Sequence, residues 1–171
     1  MKNIYLFLVL LLIIGCEFNP LSKTSTVPIP CPSVLFASEH KTYVGSLSEL
    51  ITLDNIAYQA EINNVLFTKG CFLKDNKFSS NLSLLFIVSP LQESQNMINL
   101  PFYVAVVNES KDVQDMQYYT INDVFQKNLE TNELIETEIT KTILINLPSM
   151  DESSLVVIGF MLDKSRLEIL N

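Results

Sequence analysis

The chain contains no Trp and a single His, and its basic residues are few: 11 Lys and Arg against 19 Asp and Glu, a formal charge of −8. A chain so acidic has no electrostatic footprint for nucleic acid, which needs clustered Lys and Arg against phosphates. It would also be repelled by anionic lipid. The absent Trp separates the chain from antibody-type domains, which bury one against their central bridge. Nowhere does a G-x-S-x-G elbow or a D-x-D-x-D-G calcium loop occur, so activated-serine and EF-hand chemistry have no motif to rest on. Internal repeats are absent. After the N-terminal segment the longest apolar run is 155–162, which is strand-length and too short to span a bilayer.

What is present begins at the N-terminus. Lys2 gives a short segment one positive charge, and residues 4–14 (IYLFLVLLLII) are uninterrupted apolar. A membrane span needs about 20 such residues, so this run fits the core of an export signal rather than a span. Gly15 then supplies the small residue before a cleavage point and Cys16 follows at once. Ile13-Ile14-Gly15-Cys16 resembles the bacterial lipobox, with Ile13 in the usual Leu position. The resemblance covers about the first sixteen residues. It implies diacylglycerol on the Cys16 sulfur, cleavage after Gly15, and usually a further acyl chain on the new amine. One chain anchors only marginally at about 0.8 kcal/mol per buried methylene, whereas two or three hold stably. Glu17, where an Asp would favour inner-membrane retention, points to the outer membrane of a Gram-negative envelope, facing the periplasm. The competing reading is an ordinary secretory signal followed by a chance Cys.

Three segments follow: a signal peptide 1–15, a Pro/Ser/Thr tether 16–30 and one all-β domain 31–171. Residues 17–30 (EFNPLSKTSTVPIP) show no apolar period, and Pro20, Pro28 and Pro30 each remove a backbone donor. Such a stretch cannot join a sheet interior and would hold the domain about 30–40 Å from the membrane. Cleavage would remove Lys2 alone among the charged side chains, leaving the mature chain one unit more negative. With Cys16 committed to lipid, Cys31 and Cys71 remain. In an oxidising compartment an even pair reads as one disulfide, against two buried thiols. Two Cys and His40 fall short of the four ligands a structural zinc needs, and no cofactor motif is present.

The domain alternates with period two rather than 3.6. Strands are expected at 34–36, 56–63, 65–73, 82–88, 102–107, 116–125, 135–147 and 155–162. Ser46-Leu47-Ser48-Glu49 carries a capping-box pattern for a brief turn, Lys74-Asp75-Asn76-Lys77 a hairpin turn, and a polar loop is expected up to Pro101. Residues 102–107 are apolar on both faces, as a central strand would be. In 135–147 Lys141 interrupts the apolar face and suggests a bulge or bend. Residues 163–170 suit a short helical turn with Asp163 as N-cap and Leu167 and Leu170 facing inward. About seven short strands without long helices predict an immunoglobulin- or fibronectin-III-like β-sandwich. A small lipocalin-like barrel is the alternative, because meandering hairpins give the same pattern.

Candidate chemistry is sparse. His40 lies in the polar stretch Ser38-Glu39-His40-Lys41 and reads as a solvated loop residue rather than a base. Glu130, Glu133, Glu136 and Glu138 read as a solvated face that discourages aggregation, not a metal site. Tyr118-Tyr119 in a strand must send one ring inward and one outward, and the outward one is a candidate binding anchor.

Cys31-Pro32-Ser33-Val34, the Asp54-x-Ile56-x-Tyr58-x-Ala60-x-Ile62 run ending at Gly70-Cys71, and 101–106 (PFYVAV) together resemble small alphaproteobacterial envelope lipoproteins with one β domain. Those proteins have no established function, so the resemblance implies a class and a place but no mechanism. It also implies the Cys31–Cys71 pairing. Three functions are expected in order: a non-enzymatic lipoprotein docking another envelope protein, through sheet edges open to an added strand; a carrier or sensor of a small apolar ligand inside a barrel; and an envelope hydrolase that uses His40.

Overall fold

The computed structural model describes residues 26–48, 51–75, 77–148 and 154–170. Gly15 and Cys16 of the expected lipobox lie outside them, as do all residues before 26. Among the described residues are ten strands: β1 (Thr26–Ile29), β2 (Val34–Phe36), β3 (Thr42–Ser46), β4 (Ile56–Phe67), β5 (Cys71–Lys74), β6 (Lys77–Pro90), β7 (Met97–Val107), β8 (Val113–Val124), β9 (Thr137–Pro148) and β10 (Leu155–Phe160). Short 3-10 turns occupy Ser38–His40 and Leu53–Asn55, and one helix, α1 (Lys164–Leu170), closes the described chain.

The ladders form two sheets facing each other in a sandwich-like arrangement. In the first, β6 is the spine, with β9 along one side and β4 followed by β5 along the other. β3 flanks β4 and β1 flanks β5. The second sheet runs β2-β10-β7-β8, with β2 parallel to β10 and the other pairs antiparallel.

Alternation explains why these segments pair as they do. In β6, Phe78, Ser80, Leu82, Leu84, Phe86 and Val88 are buried while their neighbours are half-buried or more open. A slip of one residue would turn that whole set to solvent, so the register is strongly specified. The core between the sheets is aromatic at its centre. The Phe86 ring lies 5.4 Å from Phe102 and 5.8 Å from Phe160, and Phe102 stacks on Tyr119 at 5.3 Å. Each buried Phe contributes about 1.5–3 kcal/mol by leaving water. The one interruption of the long β4–β5 edge is a loop ending at Gly70, whose φ of +47° suits Gly; there the buried Ser80 hydroxyl donates to the Gly70 carbonyl at 2.7 Å.

Several expectations are revised. Ten strands replace about seven, because β1 and β3 are too short and mixed in polarity to announce themselves. β1 forms inside the stretch read as tether. Its Pro28 is tolerated because β1 is an edge strand paired only with β5. β7 starts at Met97, where a polar loop was expected, since Asn99 can point outward from a strand. A capping box appears at Thr52, where Asn55 Oδ1 accepts from the Thr52 amide at 2.9 Å; Glu49 of the pattern at Ser46 lies outside the described residues. Lys141 marks no bulge: the β6–β9 register is unbroken from Lys77↔Pro148 to Val88↔Thr137. Asp163 does cap α1, accepting from the Arg166 amide at 2.8 Å. Cys31 and Cys71 are joined, with Cα atoms 5.1 Å apart, and this disulfide ties the β1–β2 connection to the start of β5.

Candidate docking face

The outer faces of the two sheets differ in kind. The first carries Glu61, Ser79, Ser83, Glu138, Thr140 and Thr142 among a few aliphatics, as a solvated sheet does. The second carries Leu35 from β2, Leu155, Val157 and Gly159 from β10, Tyr103, Ala105 and Val107 from β7, and Val113, Met116 and Tyr118 from β8; toward the far end of the β7–β8 pair it also carries Pro101, Thr120, Asn99 and Asn122, with Asn99 donating to Asn122 Oδ1 at 2.7 Å. No Asp, Glu, Lys or Arg points outward from these four strands. The two charged residues of β8, Asp115 and Asp123, sit opposite Val106 and Ile98 and so face the inner side.

Register sets the rows of this face. Leu35, Val157, Ala105 and Met116 lie side by side across the sheet, and the next row is Gly159, Tyr103 and Tyr118. Tyr118 is 63 % exposed and stands outward; Tyr119 turns inward against Phe102, its hydroxyl donating to Gln117 Oε1 at 2.8 Å. Burial raises the Tyr103 hydroxyl pKa above its ordinary value, so that ring stays neutral on the face.

His40 belongs to this region and is not the solvated loop residue expected. The Ser38–His40 turn follows β2 along the β10 border, where the Ala37 amide donates to the Ile158 carbonyl at 2.9 Å. His40 Nδ1 lies 3.1 Å from the Phe160 carbonyl, and its ring meets Tyr103 edge-on at 5.8 Å. Gly159 makes this close packing possible: a Cβ there would come within 2.7 Å of both His40 Cβ and the Tyr103 hydroxyl. Hydrolysis would need a carboxylate to orient this imidazole and a nucleophile beside it. A main-chain carbonyl and a tyrosine ring hold those positions instead.

The edges of both sheets carry features that discourage strand addition. On β9, Lys141 takes an inward-facing position opposite Leu84 yet remains exposed, which places a charge where an added strand would bury it. On β8, a register shift at Val106/Val107 is followed by Asp115, and Gln117 reaches across to donate to the Asn146 carbonyl of β9 at 2.6 Å. β3 is covered by α1. Arg166 Nε donates to the Val44 carbonyl at 3.0 Å, and the guanidinium lies 4.8 Å from the Tyr43 ring centroid. β1 contains Pro28, and β2 is three residues long. Docking by an added strand is therefore disfavoured at every edge, and the uncharged face is the better candidate.

Other candidates are less telling. Glu130, Glu133, Glu136 and Glu138 are all exposed, and Glu136 accepts from the Ser89 hydroxyl at 2.9 Å. Among the described residues no group of three or more His, Cys, Asp or Glu is placed to hold a metal ion. An open polar groove of ≈ 390 Å³ is lined by Ser38, Glu39, Thr42, Gln59 and Leu170. The space between the sheets, where an apolar carrier would hold its ligand, is filled by Phe78, Phe86, Phe102 and Phe160.

No protein-family model, curated protein or solved structure matches this chain. Function therefore has to be argued from the face itself. Of the residues on it, Tyr118 is the one singled out by sequence. The others are hidden in 102–107, whose two apolar faces are what a central strand buried on both sides would also show.

Proposed function

We propose that this chain is a non-enzymatic lipoprotein, held in a Gram-negative envelope by acyl chains on Cys16, that docks another envelope protein through the outer face of its second sheet. The anchor rests on Ile13-Ile14-Gly15-Cys16 and the apolar run before it. The docking role rests on one observation: four adjacent strands of an acidic protein present no charged side chain outward, and the exposed Tyr118 stands among them. Contiguous exposed apolar patches above a few hundred Å² mark interaction sites more often than not, and Tyr is among the residues that carry binding energy. Glu17 favours the outer membrane, with the domain facing the periplasm.

We also read the sandwich as immunoglobulin- or fibronectin-III-like, which two facing, mostly antiparallel sheets with crossovers between them support. The β3-β4-β6 meander within one sheet and the parallel β2–β10 pair depart from the usual strand order. The filled core speaks against the apolar carrier, and the main-chain partner of His40 against the hydrolase.

The test compares complexes extracted from envelopes in mild detergent. The full chain should migrate well above its own mass. Tyr118→Glu should collapse that species, and Leu144→Glu, an exposed site on the opposite sheet, should preserve it. A complex that survives Tyr118→Glu would place docking elsewhere. Cys16→Ala should release the chain into the soluble fraction, and retention in the membrane would refute the anchor.

A further inference from the structure

We infer that α1 is a lid on an acceptor edge: where it lifts, β3 takes up an extended, basic peptide segment of another protein as an added strand. This site is separate from the outer face of the second sheet, and neither depends on the other.

The β3–β4 ladder shows what β3 offers. The Ile62 amide donates to the Lys41 carbonyl at 3.1 Å, and Tyr43↔Ala60 and Gly45↔Tyr58 continue that register. Bonded pairs alternate with unbonded ones in an antiparallel ladder. The main-chain groups of Thr42 and Val44 therefore turn away from β4, along the free edge. Among the described residues only the Val44 carbonyl has a protein partner there, Arg166 Nε at 3.0 Å. An added strand would meet that carbonyl with a backbone amide, where α1 meets it with a side chain.

This edge is fixed from within and lightly covered from without. Gly45 lets the Tyr58 ring lie against the backbone, where a Cβ would come within 2.0 Å of it. The Tyr58 hydroxyl is itself held by the Asn99 main chain of β7, at 3.0 Å from the amide and 2.8 Å from the carbonyl. A rigid edge leaves an incoming strand little of the acceptor to order. By contrast, none of the seven residues of α1 is buried, and a helix that short has little stability of its own. It can lift by local opening while the sheets stay folded. The other edges are protected by features that cannot leave: Lys141 on β9, Asp115 on β8, Pro28 in β1 and the shortness of β2. β3 (TYVGS) contains neither charge nor Pro. Strand addition is disfavoured there only while α1 is seated.

What α1 leaves behind sets the chemistry of the occupant. The Arg166 guanidinium lies 4.8 Å from the Tyr43 ring centroid, so a lifted lid vacates a cation position on an aromatic ring. Thr42 of the same edge lines the polar groove that also holds Glu39, with Leu170 of α1 in its wall. Lys or Arg on the incoming segment suits both places, and the chain's charge of −8 favours it further. Asp or Glu suits neither.

The experiment titrates the full chain, in mild detergent, with a fluorescent peptide of alternating Thr and Lys, about eight residues long. Two control peptides carry Glu in place of Lys, or methyl groups on every backbone amide. Arg166→Ala should bind the Lys peptide about tenfold more tightly than the parent, because more of the chains are open. Arg166→Lys, which keeps a cation and a donor, should stay near the parent. Asp163→Ala removes the cap of α1 and the ion-pair partner of Arg166, and so opens the same lid should Arg166→Ala fail to fold. Neither control peptide should bind. Hydrogen exchange of the complex should show new protection at the Thr42 and Val44 amides. Equal affinity for parent and opened variants, no binding by any of them, or protection gained at another edge would overturn the inference. Equal binding of the Glu peptide would overturn the basic occupant.

Discussion

Replacing the disulfide offers the most direct measure of what holds this fold together. Cys31 and Cys71 are 40 residues apart in sequence and join the segment between β1 and β2 to the start of β5. Because β1 and β2 have only four and three residues, few ladder bonds hold this region in place without the bridge. By chain entropy alone, opening a loop of that size returns about 4 kcal/mol to the unfolded state. For a domain whose whole stability is about 5–15 kcal/mol, that is a large share. The two ends are not equivalent: Cys71 is buried and Cys31 is exposed, so Ala suits both better than Ser, which would bury a hydroxyl at 71. The assay is urea unfolding of Cys31→Ala/Cys71→Ala against its parent, both carrying Cys16→Ala to keep lipid out of the comparison. The midpoint should drop by an amount worth about 3–4 kcal/mol, and the denaturant slope should steepen because the unlinked unfolded chain exposes more surface. A loss under about 1 kcal/mol with an unchanged slope would show that the cross-link constrains little and that the chain-entropy reasoning does not apply here.

Other outcomes follow from the same structure. Arg166→Met removes the donor to the Val44 carbonyl and the cation over Tyr43, at a cost of about 1–3 kcal/mol; hydrogen exchange should rise first in β3, and uniform protection would count against α1 as its cover. Lys141→Val should leave thermal stability unchanged or raised and speed aggregation, seen as light scattering, because β9 loses its inward-facing charge; unaltered solubility would deny Lys141 that role. Burial raises the pKa of Tyr43 and of Tyr58, whose hydroxyl donates to the Asn99 carbonyl at 2.8 Å. A folded-state pKa above the unfolded value of about 10 means that this stability is present below pH 10 and is lost as pH climbs through the folded value. Unfolding midpoints should therefore fall in that alkaline window, and Tyr58→Phe should make the fall shallower; an equal fall in the variant would assign the effect to other groups.

The sequence was legible where one physical rule acts locally. Period-two alternation located β4, β6 and β9, because a half-buried strand must send successive side chains to opposite sides, and β-branched and aromatic content located β8. Asp163 was readable as a cap, since its side chain satisfies an amide three residues on. Rules that depend on distant partners were not legible. β3 exists because β4 pairs with it and α1 covers it. Asn99 sits in a strand because the Tyr58 hydroxyl both accepts from its amide at 3.0 Å and donates to its carbonyl.

Lys141 shows the limit best. Its break in the pattern was visible, but its meaning as an edge charge depended on β9 having β6 alone as its ladder partner.

By itself, then, the sequence determined an all-β domain, its acidic character, and that one ring of Tyr118-Tyr119 must face outward. Only the tertiary structure decided which ring that is, and that the second apolar face of residues 102–107 lies on the outside of the sandwich. Alternation along a strand tells the two sides of a sheet apart. Which side meets the other sheet depends on pairings far apart in the chain.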